Sequence, residues 1–101
     1  LLGKASKKSI SDLINECYRQ QSEKEVISAL EELLKKTKSG MVSYELGHEH
    51  EKIGKRNAAI KYYEKAESLF EQTNYKNMAR AAINNLIIED LIAEKNKQKT
   101  K

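Results

Sequence analysis

The sequence predicts an all-α fold, and three observations carry that expectation. Proline is absent from the 101 residues and glycine occurs only four times, so little interrupts a helix. Charged residues make up 34% of the chain, and the apolar residues, mainly Leu, Ile and Ala, recur at spacings of three and four. Five segments share that period, which predicts about five antiparallel helices in one domain over roughly 9–94, with a disordered basic segment over 1–8 and a disordered basic tail over 95–101.

Each helix has its own signals. Ser9 and Asp12 stand at capping-box spacing ahead of Ile10, Leu13, Ile14 and Cys17, predicting a first helix over about 10–21. Ser22 and Glu25 repeat the signature, and Val26, Ile27, Leu30, Leu33 and Leu34 form the apolar face of a second helix that KTKSG ends at Gly40. The joint between them is short, so the two lie nearly antiparallel. A third helix spans about 41–53 and stops at Gly54, a natural left-handed position. Asn57 is placed to cap a fourth, with Ala59, Ile60, Tyr63, Ala66, Leu69 and Phe70 facing inward. After the polar break QTN, a fifth over about 75–94 carries Tyr75, Met78, Ala79, Ala82, Ile83, Leu86 and Leu91.

The net charge of +4 is unevenly distributed. Lys4, Lys7 and Lys8 precede residue 9, and Lys95, Lys97, Lys99 and Lys101 follow residue 94, which leaves 12 basic and 15 acidic groups in between. The expected folded part is therefore mildly acidic, which argues against a nucleic-acid surface; the lysine-rich ends leave an accessory contact with nucleic acid as the weaker alternative. The chain opens on LLGKASKK, without the apolar run of a signal peptide or a membrane span, and reads as a piece of a longer, cytoplasmic protein. Cys17, the single cysteine, excludes an internal disulfide and suits a reducing compartment.

The apolar pattern repeats. Positions 10, 13, 14 and 17 recur 33 residues on as Ser43, Leu46, Gly47 and His50, and after a further 32 as Tyr75, Met78, Ala79 and Ala82. Val26, Leu30 and Leu33 correspond in the same way to Ala59, Tyr63 and Ala66. Small residues at Gly47, Ala59 and Ala66 allow close helix approach, with Tyr63 filling the groove between repeats.

Leu46 and Gly47, Gly54, Ala59 and Ile60, Tyr62 and Tyr63, Lys65 and Ala66, and Leu69 together resemble a tetratricopeptide repeat spanning 40–73. Residues 7–39 match in apolar pattern only. Ser43, His50 and Glu71 stand where the family usually has a large aromatic, Tyr and Pro. Without that proline the fourth helix has no enforced stop, which allows a longer helix and a different packing angle for the next one. The resemblance implies a short right-handed superhelix of two helix pairs plus a closing helix.

The stretch YELGHEHEKIG holds both histidines, each followed by a glutamate. Residues two apart on a helix point about 200° apart, so His48 and His50 cannot share a metal ion, and the spacing is not that of HExxH. No phosphate loop, paired carboxylates or nucleophilic triad can be assembled. Cys17 belongs to a buried face, where a thiol packs as a small hydrophobe. Neither an enzyme nor a cofactor is expected.

What the resemblance implies instead is a protein or peptide partner on the concave face lined by the first helix of each pair. The corresponding positions are Ser11, Asn15 and Tyr18, then Tyr44, His48 and Glu51, then Lys76, Arg80 and Ile83. Lys76 and Arg80, four apart, are spaced to grip a carboxylate. Asn15 and Arg80 occupy places used by the family's C-terminal carboxylate clamp, but Ser11 and Glu45 stand where that clamp needs Lys and Asn, which argues against that ligand. The alternative is self-association, because Ile87, Ile88 and Ile92 supply more apolar surface than one core face needs.

Overall fold

A computed structural model describes residues 8–99, with side chains described for 8–96. The described chain is all-helical: α1 Ile10–Cys17, α2 Glu23–Thr37, α3 Gly40–Lys52, α4 Arg56–Leu69 and α5 Thr73–Lys99. The expectations for residues 1–7, 100 and 101 lie outside the described residues.

The local caps act where the sequence puts them. Ser9 and Asp12 form a reciprocal capping box, and Ser22 Oγ accepts from the Glu25 N–H at 3.2 Å. α1 is shorter than expected, ending at Cys17. The turn that follows is tightened by N–H donation from Arg19 to the Glu16 carbonyl at 3.2 Å, and it releases Tyr18 toward α3.

Two glycines separate by role. Gly54 sits at φ 81, and a Cβ there would meet nothing within 4 Å, so backbone conformation alone asks for glycine. Gly40, expected as the stop of α2, is instead the first residue of α3. The left-handed residue ending α2 is Lys38, at φ 51 and ψ 39. Gly40 is required for space, since a Cβ there would lie 2.8 Å from Phe70 Cδ1. Asn57 does not cap α4; Lys55 precedes the helix without a side-chain cap, because its N–H closes the turn onto the His50 carbonyl at 2.9 Å and the helix starts at Arg56.

α3 and α4 pack antiparallel at very short range. A Cβ on Gly47 would fall 2.5 Å from Tyr63 Cε1, so the absence of a side chain is what admits the ring. Ser43 is fully buried and its hydroxyl donates to the Tyr62 carbonyl at 2.7 Å, a compact substitute for the aromatic expected there. The core continues to either side: Ile14, Cys17, Val26, Leu30, Leu34, Val42 and Leu46 join α1, α2 and α3, while Ala59, Tyr63, Ile83 and Leu86 join α4 and α5.

α4 does not run past residue 70 despite the missing proline. Phe70 turns extended, with ψ 138, buries its ring and stacks it on Tyr75 at 5.2 Å. α5 then packs back along α4 on Ala79, Ile83 and Leu86, whereas Tyr75 and Leu91, expected inward, are exposed. It also continues past Glu94, where disorder is expected, through Lys99. Ala, Glu, Gln and Lys are strong helix formers, and extending an existing helix needs no burial.

The two glycines should respond differently to substitution. Gly47→Ala forces a methyl into the Tyr63 ring, costing about 1–3 kcal/mol and lowering Tm by roughly 5–15 °C in a domain of this size. Gly54→Ala should cost about 1–2 kcal/mol from backbone strain alone. Gly54→Asn should recover part of that loss while Gly47→Asn recovers none, measured by thermal unfolding followed by circular dichroism.

Candidate functional site

α3 carries its polar residues on two sides, and the histidines divide between them. His50 is 9% exposed; its Nδ1 donates to the Leu46 carbonyl at 2.9 Å and its ring stacks on Tyr62 at 4.9 Å and 29°. His48 is exposed on the other side, edge-on to Tyr44 at 4.8 Å and to Tyr63 at 5.7 Å. Among the described residues, no three His, Cys, Asp or Glu side chains converge on a position that could hold a metal ion.

The His48 side faces a cleft of about 260 Å³ between α3 and α5. Tyr44, His48 and Glu51 form the α3 wall, and Met78, Ala81, Ala82 and Asn85 form the α5 wall, with Tyr63 beneath. Glu51 Oε1 accepts from the Tyr63 hydroxyl at 2.7 Å. Burial, then the hydrogen bond to Glu51, push the Tyr63 hydroxyl well above its ordinary range, so it remains a donor.

Other residues expected on this face have different positions. Ile83 is 2% exposed and belongs to the core, so it cannot meet a partner. Lys76 Nζ donates to the Glu67 carbonyl at 2.9 Å, and the Arg80 guanidinium pairs with the Glu67 carboxylate, its Nε at 3.2 Å. Both cations thus link α5 to the end of α4. The cause is a rotation of α5: burial of Ala79, Ile83 and Leu86 turns 76 and 80 toward α4 and brings 78, 81, 82 and 85 to the cleft. Asn15 is exposed beside a separate shallow depression with Lys8, Asp12 and Arg19, and Ser11 is exposed on α1.

Tyr18 ties α1 to α3. Its hydroxyl lies 2.7 Å from Glu45 Oε1 and 2.9 Å from Glu49 Oε2, and burial followed by these hydrogen bonds pushes it far above its ordinary value. Glu49 is 2% exposed, with Lys52 Nζ at 3.1 Å. Burial pushes the Glu49 carboxyl up, but hydrogen bonds from Glu23, Lys52 and Tyr18 outweigh it and hold the carboxyl below its ordinary value. Glu23, hydrogen-bonded to Glu49, is shifted the opposite way, upward, and so holds its proton more readily.

Two further features lie outside the expected face. A shallow groove of about 770 Å³ between α2 and α4 is floored by Leu34, Tyr62 and Leu69 and rimmed by charges of both signs, Glu31 and Glu32 against Lys35, Lys38 and Lys65. On α5, Ile87, Ile88, Leu91 and Ile92 are 44%, 52%, 64% and 53% exposed. Glu89 and Asp90, on the opposite side of that helix, are clamped by Arg56 of α4, with Nη2 to Glu89 Oε1 at 2.8 Å and Nε to Asp90 Oδ1 at 2.6 Å. Sequence reasoning marked the surplus isoleucines but missed the Arg56 clamp, whose partners stand more than thirty residues away and give no local signal.

Among the described residues no helix is long and apolar enough to cross a membrane. Comparison with protein-family models, with curated proteins and with solved structures gives no match.

Replacing Tyr18 with Phe tests the α1–α3 tie. The variant leaves buried Glu49 one donor short and should lose about 1–3 kcal/mol of stability at pH 7. A carboxyl whose folded pKa is depressed stabilises above its unfolded pKa, near 4.3, and that contribution disappears as pH falls through the folded value. The gap between wild type and Tyr18→Phe, measured by urea unfolding, should therefore narrow as pH falls through the acid range to about 2.

Proposed function

We propose that the chain is a non-catalytic module for protein–protein interaction and assembly, a tetratricopeptide-like stack of helix pairs that associates with a second copy of itself through the outer face of α5. The carrying observation is the run Ile87, Ile88, Leu91 and Ile92, every member more than two-fifths exposed. Contiguous apolar surface of this kind is unfavourable in water and marks a contact face.

The polarity of this part of α5 supports the reading. A helix end that merely continued a core would turn its apolar side inward. Here Glu89 and Asp90 face the domain, where Arg56 holds them, and the isoleucines and Leu91 face away. Past Leu86, the last buried residue among the described side chains, α5 continues to Lys99, about 20 Å at 1.5 Å per residue. A two-fold pairing of copies through this face covers Ile87, Ile88, Leu91 and Ile92 of each.

The non-catalytic part of the proposal is supported by the roles of the ionisable groups. Glu49, Glu51, Glu67, Glu89 and Asp90 each bind a tyrosine, lysine or arginine of a neighbouring turn or helix, which fixes the packing. A partner segment on the concave side of α3 is a second reading, favoured by the cleft where His48 and Tyr44 are accessible beside Glu51.

Light scattering coupled to size exclusion, run across a concentration series, should show wild type shifting from monomer to dimer. Ile88→Glu with Leu91→Glu should remain monomeric with unchanged helix content, since exposed sites away from structural features change stability by only about 0.5 kcal/mol. A strictly monomeric wild type would remove the self-association reading.

A further inference from the structure

We infer that the cleft between α3 and α5 is a receptor for a single cationic side chain, a lysine or arginine presented by a partner protein segment. This rests on the concave side of α3 receiving a partner and is independent of pairing through α5.

The charge at the cleft is negative: Glu51 lines it, and Glu45 stands on the same helix toward α1. Glu45 and Glu51 make no ion pair with any Lys or Arg among the described residues. Each carboxylate is instead oriented by a phenol, Glu45 by Tyr18 and Glu51 by Tyr63, both at 2.7 Å through Oε1. A phenol donor fixes the position of a carboxylate without neutralising it. The nearby cations of α5 that could have done so, Lys76 and Arg80, are turned to Glu67.

Shape and wall chemistry narrow the ligand further. A cleft of about 260 Å³ is below the roughly 300–1,000 Å³ typical of small-molecule pockets but suits one long side chain. On the α5 wall Ala81, Ala82 and Asn85 are small and uncharged, which leaves room for an alkyl stem. On the α3 wall the Tyr44 and His48 rings stand edge to face at 85°, so they present aromatic surface in two directions beside the Glu51 carboxylate. A cation in this corner gains a charge-assisted hydrogen bond to Glu51 and attraction to the tyrosine ring. An anion in the cleft would meet the Glu51 carboxylate and no lysine or arginine among the lining residues. The ligand polarity is thus the reverse of the one that Lys76 and Arg80 suggest in the sequence.

The test is an NMR titration of the whole chain, ¹⁵N-labelled, with N-acetyl-lysine methylamide and N-acetyl-arginine methylamide, and with the norleucine and glutamate analogues as controls. The expected result is saturable shifts confined to the amides around His48, Glu51, Ala81 and Asn85 with the two cationic probes only. Glu51→Gln, which keeps an acceptor for Tyr63, should weaken binding by about fivefold or more, the difference between a charge-assisted and a neutral contact. Ala81→Leu, at an exposed position, should block the cleft and abolish the shifts without unfolding the chain. Shifts scattered over every acidic surface, equal shifts from norleucine, or unchanged binding in either variant would each overturn the inference. A dimer that persists while these probes fail to bind would overturn this site alone.

Discussion

The seat of Tyr63 against Gly47 is the contact from which the rest of the arrangement follows. A ring buried completely at the centre of α4 is admitted only because α3 has no side chain at that point, where a methyl would stand 2.5 Å away. The close approach sets the α3–α4 distance, and the same ring meets Ile83 and Leu86 of α5 on its far side. Its hydroxyl ends on Glu51 and its ring meets that of His48 at right angles. One side chain therefore couples three helices and forms the floor of the cleft. Such a contact is sensitive in both directions, because close-packed interiors tolerate neither added volume nor a void.

Around that centre, polar groups decide which faces remain available. Tyr18 joins α1 to α3 through two glutamates, Arg56 holds the middle of α5, and Lys76 and Arg80 close the end of α4. These ties engage Tyr18, Lys76 and Arg80 within the domain, Ile83 is core, and Tyr44, His48 and Glu51 are grouped at one cleft. They also orient α5 so that its acidic side faces inward and its apolar side outward. The two candidate surfaces, one acidic and aromatic and the other apolar, are consequences of the same set of helix-fastening contacts.

How much of this can be read from the sequence depends on the range of the interaction involved. Ser9, Ser22 and Gly54 act through neighbours within four residues, and their roles are legible from spacing alone. Gly40 is not, because its reason is Phe70, thirty residues on, so a spatial requirement is easily taken for a helix stop. The cleft shows the same division. His48 and His50 separate by helical geometry, while the direction of Lys76 and Arg80 depends on the rotation of α5, set by burial of Ala79, Ile83 and Leu86. Low-contrast alternation of Ala, Ile and Asn in this helix leaves that rotation undecided until α4 is in place. The extension of α5 through Lys99 escapes composition for another reason, since a helix already formed can lengthen through lysine-rich sequence without burying anything.

The central claim is that the Gly47 recess exists for the Tyr63 ring, and a double-mutant cycle addresses it directly. Gly47→Ala should be strongly destabilising in the wild-type background. In a Tyr63→Leu background, where the ring is gone, the added methyl should cost little and contribute its intrinsic helix preference. Urea unfolding of the four proteins gives the coupling, expected to exceed about 1 kcal/mol. Additive costs, with Gly47→Ala equally damaging whether or not the ring is present, would contradict the account and move the origin of the helix spacing elsewhere.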